Sequence, residues 1–154
     1  MADPATISIR DATPQDVLAM MEIERSSGGA SHWTATDYER IFLAESPRRF
    51  ALIAGSNLPQ GFLVARAVDK EWEIENLAVA VQARRRGVGR ALLTELLRRA
   101  MECDAANVML EVRESNLPAR ALYESAGFRA IGGRTSYYQD PLEDVPGDSA
   151  SWFL

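Results

Sequence analysis

Apolar and polar positions alternate along some stretches of the chain and recur every three to four residues along others, and each change of period marks an element. Ile7-Ser8-Ile9 alternates like a short strand. Thr13-Pro14 then puts proline at the first position of a helix, and Val17, Met20, Met21 and Glu24 follow at helical spacing. A loop over 26–31 carries two glycines. Thr34 with Asp37 predicts a capping box ahead of Tyr38, Ile41 and Phe42. Positions 50–54 and 61–67 are apolar strands joined by the turn-like Ser56-Asn57-Leu58-Pro59, which predicts an antiparallel hairpin.

A longer strand follows over 72–80. Leu92, Leu93, Leu96, Leu97 and Ala100 then share one face of an amphipathic helix. Another strand covers 108–113, and a helix over 116–126 is closed by Gly127. Phe128 begins a strand that runs toward Tyr138. The tail over 140–154 contains Pro141, Pro146 and Gly147, which leaves only 151–154 for a final strand, since proline cannot donate to a sheet ladder. Strand, two helices, three strands, helix, strand, helix, strand: this order predicts a mixed α/β domain, a single unit over 1–154 with an irregular tail.

Composition narrows the function. The net charge is −5 with no polybasic tail, so binding of nucleic acid through bulk charge is not expected. Lys70 is the only lysine, so nearly all the positive charge is arginine. Cys103 is the single cysteine and His32 the single histidine, which leaves little for a disulfide, a His-based triad or a metal centre. Cys103 also sits between Glu102 and Asp104, which discourages a reactive thiolate. No apolar run approaches transmembrane length and the N-terminus lacks a signal-peptide core, so a cytoplasmic location is expected.

The most informative stretch is Val81-Gln82-Ala83-Arg84-Arg85-Arg86-Gly87-Val88-Gly89-Arg90-Ala91. It follows the apolar Leu77-Ala78-Val79 and opens a helix, where unpaired N–H groups and the helix dipole favour an anion. Gly87 and Gly89 would let the anion come close, and Arg84, Arg85, Arg86 and Arg90 add donors suited to phosphate oxygens. Downstream, Glu111 lies opposite the face shared by Val108, Leu110 and Val112. It reads either as a desolvated proton acceptor or as an ion-paired or edge carboxylate. Tyr123 falls two helical turns after Asn116; its phenol is either a proton donor to a cleft or a helix aromatic. Glu73 and Glu75 share one face of the 72–80 strand as a competing pair of carboxylates.

These residues together carry a resemblance. The segment from Gln82 to Leu93 is similar to the acetyl-CoA loop of the GNAT N-acetyltransferase superfamily, with its Q/R-x-x-G-x-G/A pattern. Leu110-Glu111-Val112-Arg113-Glu114-Ser115-Asn116, followed by Ala121-Leu122-Tyr123-Glu124-Ser125-Ala126-Gly127-Phe128, resembles the RimI branch, bacterial acetyltransferases of the N-terminal α-amine of a ribosomal protein. Trp33-Thr34 and Tyr137-Tyr138 fit the same branch. The likeness runs over most of the chain and is strongest over 76–138.

The resemblance implies a GNAT fold, a mixed and mostly antiparallel sheet of six to seven strands flanked by four helices. It implies acetyl-CoA as cosubstrate and no metal. Leu77, Ala78 and Val79 would offer backbone groups to the pantetheine arm; Arg85, Arg86, Gly87, Val88, Gly89 and Arg90 would cradle the pyrophosphate, with Arg84 at the loop's entry; Ala91, Asn116 and Tyr123 would also touch the coenzyme. Glu111 would be the general base, Tyr123 the general acid, and Trp33, Tyr137 and Tyr138 would meet the acceptor. That acceptor would be a protein or peptide N-terminus, such as that of a ribosomal protein, taken by a monomer or weak homodimer without nucleic acid or membrane. Acetylation of a small amine or a lysine, and a non-catalytic acetyl-CoA-binding module, stand as alternatives. His32 replaces the proline usual before the tryptophan, and Val145-Pro146-Gly147-Asp148 interrupts the expected last strand, so the departures fall on the acceptor side.

Overall fold

The computed structural model describes residues 7–27, 33–44, 48–111, 117–130, 136–139 and 152–153. The chain runs β1 (Ile9–Asp11), α1 (Val17–Ser26), α2 (Ala35–Arg40), β2 (Arg48–Ala54), β3 (Gly61–Val68), β4 (Glu71–Val79), α3 (Val88–Glu102), β5 (Asn107–Glu111), α4 (Leu117–Ser125), β6 (Arg129–Ala130), β7 (Ser136–Gln139) and β8 (Trp152–Phe153). One sheet orders them β1-β2-β3-β4-β5-β7-β6, with β8 also on β7. Among the described residues only β4 and β5 pair in parallel, joined across the sheet by α3. The mixed α/β fold with four helices is as expected.

Several boundaries move. The first strand starts at Ile9 rather than Ile7, because its partners are Ala54, Ile53 and Leu52 of β2. Pro14 opens a short 3-10 turn (Pro14–Asp16) before α1 begins at Val17. The single strand expected over 128–138 is instead β6 and β7, which pair antiparallel, so the chain reverses between them. The tail does supply a strand, Trp152–Phe153, on β7. With these two-residue pieces the described residues make eight strands, where six to seven were expected.

The capping box forms as read: Thr34 Oγ1 accepts from the Asp37 N–H at 3.2 Å, and Asp37 Oδ2 accepts from the Thr34 N–H at 2.8 Å. The apolar stripe of α3 buries Leu92, Leu93, Leu96 and Ala100. Register sets the layers. Gly61 pairs with Val79 and Phe62 with Ala78, and neighbouring residues of a strand face opposite sides. A Cβ on Gly61 would meet Val88 and Leu92, whereas Phe62 packs edge-on against Tyr38 at 6.0 Å. Helix α3 therefore covers one face of the sheet and α2 the other. Among the described residues no helix is long and apolar enough to cross a membrane.

Two irregularities of β4 prepare the site. Between Val64 and Ala65 the β3–β4 register shifts, so that Val64 faces Asn76 and Ala65 faces Ile74, leaving Glu75 unmatched as a bulge. Pairing with β5 ends at the same place: Ile74 faces Leu110, and no described strand pairs with 75–79 on that side.

Candidate active site

Where β4 parts from β5, the backbone of Leu77, Ala78 and Val79 presents an open edge, and such an edge accepts an extended ligand as an added strand. Immediately beyond lie a 3-10 turn (Val81–Ala83), the turn over 84–87 and the start of α3. Arg85 has φ 65° and Gly87 φ 81°, two left-handed residues within three positions. For arginine that conformation costs about 1 kcal/mol, the kind of strain that clusters at functional turns. Among the described residues nothing crowds a Cβ at Gly87, so its glycine serves the backbone conformation. The first α3 N–H with a helical acceptor is that of Ala91, bonded to Gly87 O at 2.9 Å. Among the described residues no side chain caps the N-terminus of α3, and its first turn holds no acid. The dipole and free donors at this end suit an anion.

The expected phosphate ligands separate into groups. Arg85 and Arg86 are exposed and pair with none of the described residues. Arg84 instead donates to Ser27 O at the end of α1 (3.2 Å), and Arg90 to Ser125 Oγ at the end of α4 (3.2 Å). Val88 and Gly89 are buried; a Cβ on Gly89 would lie 2.9 Å from Leu122 Cδ2 of α4 and 3.7 Å from Val79 Cγ2. Gly89 thus lets α4 reach the start of α3, a role the ligand-approach reading did not include. Ala91 is half-buried.

Tyr123, next to Leu122, is 7% exposed and packs edge-on against Phe128 with ring centroids 5.9 Å apart. Burial pushes its phenol well above the ordinary value of 10, so it keeps its proton at neutral pH. Glu111 ends β5, opposite Ser136 of β7. Tyr137 lies opposite Leu110, and Tyr138 opposite Met109. Asn116 and the side chains of Glu111, Tyr137 and Tyr138 lie outside the described residues. Trp33 is half-buried against Tyr38, centroids 5.2 Å apart. The competing carboxylates have arginine partners: Glu75 accepts from Arg49 Nε at 2.8 Å and Glu73 from Arg66 Nε at 2.9 Å, a cross-strand ladder over β2, β3 and β4.

A further polar cluster lies in the interior. The Tyr38 hydroxyl donates to Glu24 Oε1, and Asn76 Nδ2 reaches Glu24 Oε2 at 3.4 Å and the Tyr38 hydroxyl at 3.3 Å. Burial, and then the adjacent Glu24 carboxylate, raise the Tyr38 phenol far above its usual value. Sequence reasoning missed this cluster. Its signals were a glutamate on the apolar stripe of α1 and an asparagine in the buried phase of β4.

Residues 17–128 match the model of the Acetyltransferase (GNAT) family. The [ribosomal protein bS18]-alanine N-acetyltransferase of Escherichia coli is 42% identical over 144 residues, 91% of this chain and 93% of that protein. Its crystal structure aligns with a TM-score of 0.73 and 28% identity, over 86% of this chain and 91% of the other. The N-alpha-acetyltransferase RimI of Mycobacterium tuberculosis is 44% identical over 90% of this chain and 88% of its own length. The PaiA N-acetyltransferase of Thermoplasma acidophilum, solved in complex with coenzyme A, shares the fold with a TM-score of 0.76 at 18% identity, over 88% of this chain and 99% of its own.

Proposed function

The chain belongs to the GNAT family of acetyltransferases, and from that membership we propose that it moves the acetyl group of acetyl-CoA to the N-terminal α-amine of a protein, with a ribosomal protein as the favoured acceptor. The observation that carries the reading is the opening of β4 from β5 directly beside the uncapped start of α3. An acyl-pantetheine arm laid along Leu77, Ala78 and Val79 would leave its pyrophosphate at the turn over 84–87 and the first N–H groups of α3. Arg85 and Arg86, exposed there and without partners among the described residues, would meet the phosphate oxygens.

The reaction is direct attack. The neutral amine nitrogen adds to the thioester carbonyl carbon, Glu111 takes the amine proton, the C–S bond breaks and Tyr123 protonates the departing sulfur. The Val79 N–H would polarise the carbonyl, and holding both reactants in one cleft lowers the entropic barrier. A protein α-amine, with pKa about 8, gives up roughly one unit to become neutral at pH 7, whereas a lysine near 10.4 gives up about three. One carboxylate acting directly or through a water suffices for the first. The buried, protonated phenol of Tyr123 supports its part as acid.

A panel of acceptors tests the reading. Alanine-starting N-terminal hexapeptides of ribosomal proteins, internal-lysine peptides and polyamines are each offered with acetyl-CoA while free thiol is followed. Selective turnover of an alanine-starting peptide is expected. Preference for lysine or polyamine would replace the acceptor class, and acetyl-CoA binding without thiol release from any amine would leave a coenzyme-binding module.

A further inference from the structure

Glu24, Tyr38 and Asn76 come from α1, α2 and β4, and each is less than one-tenth exposed. Burying a carboxylate among apolar residues is costly even when it is partnered, and apolar groups of the same shape are often at least as stable. Stability alone gives little reason for the cluster; its place in the fold gives a better one. Asn76 is the first residue past the bulge at Glu75, where β4 has lost β5, and the open edge Leu77-Ala78-Val79 follows it. A second tie runs parallel to the first: Arg84, in the turn before α3, donates to Ser27 O just past α1. At the start of α2, Trp33 packs on the ring of Tyr38. The end of α1 and the start of α2 are thus held to the donor strand and the donor turn by hydrogen bonds that span 52 and 57 residues of sequence.

We propose that Glu24, Tyr38, Asn76 and Arg84 are positioning residues, locking the acceptor side of the site, on α1 and α2, to the donor side on β4 and its following turn, and thereby setting the KM for the acceptor amine. This rests on the acetyl-transfer reading above, with Trp33 on the acceptor side. Arg84 then acts across the two halves rather than on phosphate. The carboxylate of Glu24 holds both partners, so the hydroxyl of Tyr38 is the least disruptive point at which to loosen the lock.

Tyr38→Phe removes one hydroxyl and keeps the ring against Trp33 and Phe62; Arg84→Ala cuts the second tie at an exposed position. Steady-state kinetics use the best peptide of the acceptor panel, and calorimetry gives the Kd of acetyl-CoA. Each variant is expected to raise acceptor KM about threefold to tenfold, the range a single lost hydrogen bond supports, with acetyl-CoA Kd changed by less than about twofold. A Tyr38→Phe protein with lower Tm but unmoved acceptor KM would reduce the cluster to packing and overturn the proposal. An Arg84→Ala protein with weakened acetyl-CoA binding and unmoved acceptor KM would return Arg84 to the phosphates and do the same. If the unaltered protein turns over none of the amines, the acetyl-transfer reading fails first and takes this proposal with it, a result distinct from an active protein whose variants are silent.

Discussion

Leu122 of α4 packs so closely on Gly89 of α3 that a methyl group at position 89 would sit 2.9 Å from Leu122 Cδ2. The glycine that reads as a phosphate-loop residue is therefore also the point where two helices meet. Leu122 precedes Tyr123, so this contact fixes where the helix carrying the proposed acid stands relative to the start of α3. Gly89→Ala should lose part of the roughly 1 kcal/mol that alanine gains over glycine within a helix, because the tip of Leu122 has to turn aside for the new methyl. Leu122→Ala in the same protein should recover part of that loss, because the methyl then fills space the leucine vacated. Urea denaturation of the two single variants and the double variant measures the coupling. Strictly additive effects would show that the two side chains do not compete for one volume.

Tyr123→Phe keeps the ring against Phe128 and removes the acidic proton. Turnover should fall about a hundredfold or more, as for loss of a general acid, while acetyl-CoA Kd holds within about twofold. The raised phenol has a stability consequence as well. Its folded value lies above the ordinary 10, so its contribution is complete below pH 10 and drains away as pH climbs past it. Tyr38 behaves alike. Above that pH the Phe variants should lose stability less steeply than the parent. An unchanged kcat in Tyr123→Phe would remove this residue from the chemistry.

Acid should act through Glu95. Arg98, first, and Arg99 hold its carboxyl down at about 2, with N–O distances of 2.7 and 2.9 Å, and Arg99 also reaches Asp11 of β1 at 2.6 Å. A lowered folded value gives stability that is full above the ordinary 4.5 and is lost as pH falls toward 2. Glu95→Gln should cost about 0.5–1 kcal/mol at neutral pH, given its partial exposure, and the gap to the parent should narrow below the ordinary 4.5 and close only as pH nears about 2. Guanidinium unfolding would be screened by its own salt, so urea at both pH values is the measurement. A gap of equal size at both would point to packing rather than charge.

The chain by itself determined what depends on a few neighbouring residues. The alternation of Trp72, Ile74, Asn76 and Ala78, the stripe of Leu92, Leu93 and Leu96, and the Thr34–Asp37 capping box are local patterns, and each became the element it predicts. The glycine-rich turn with its arginines is local too, which is why the family resemblance is carried by the linear sequence. Tertiary structure decided the rest. Whether 128–138 is one strand or two depended on which strand β7 pairs with, and pairing is a long-range choice. Gly89 gained its packing role from Leu122, Arg84 its partner from Ser27, and Glu24 its partners from Tyr38 and Asn76, all distant in sequence. Secondary structure is governed by periods of two and 3.6 residues that a linear pattern displays, whereas the direction a buried or bridging side chain takes is settled only when separate elements meet.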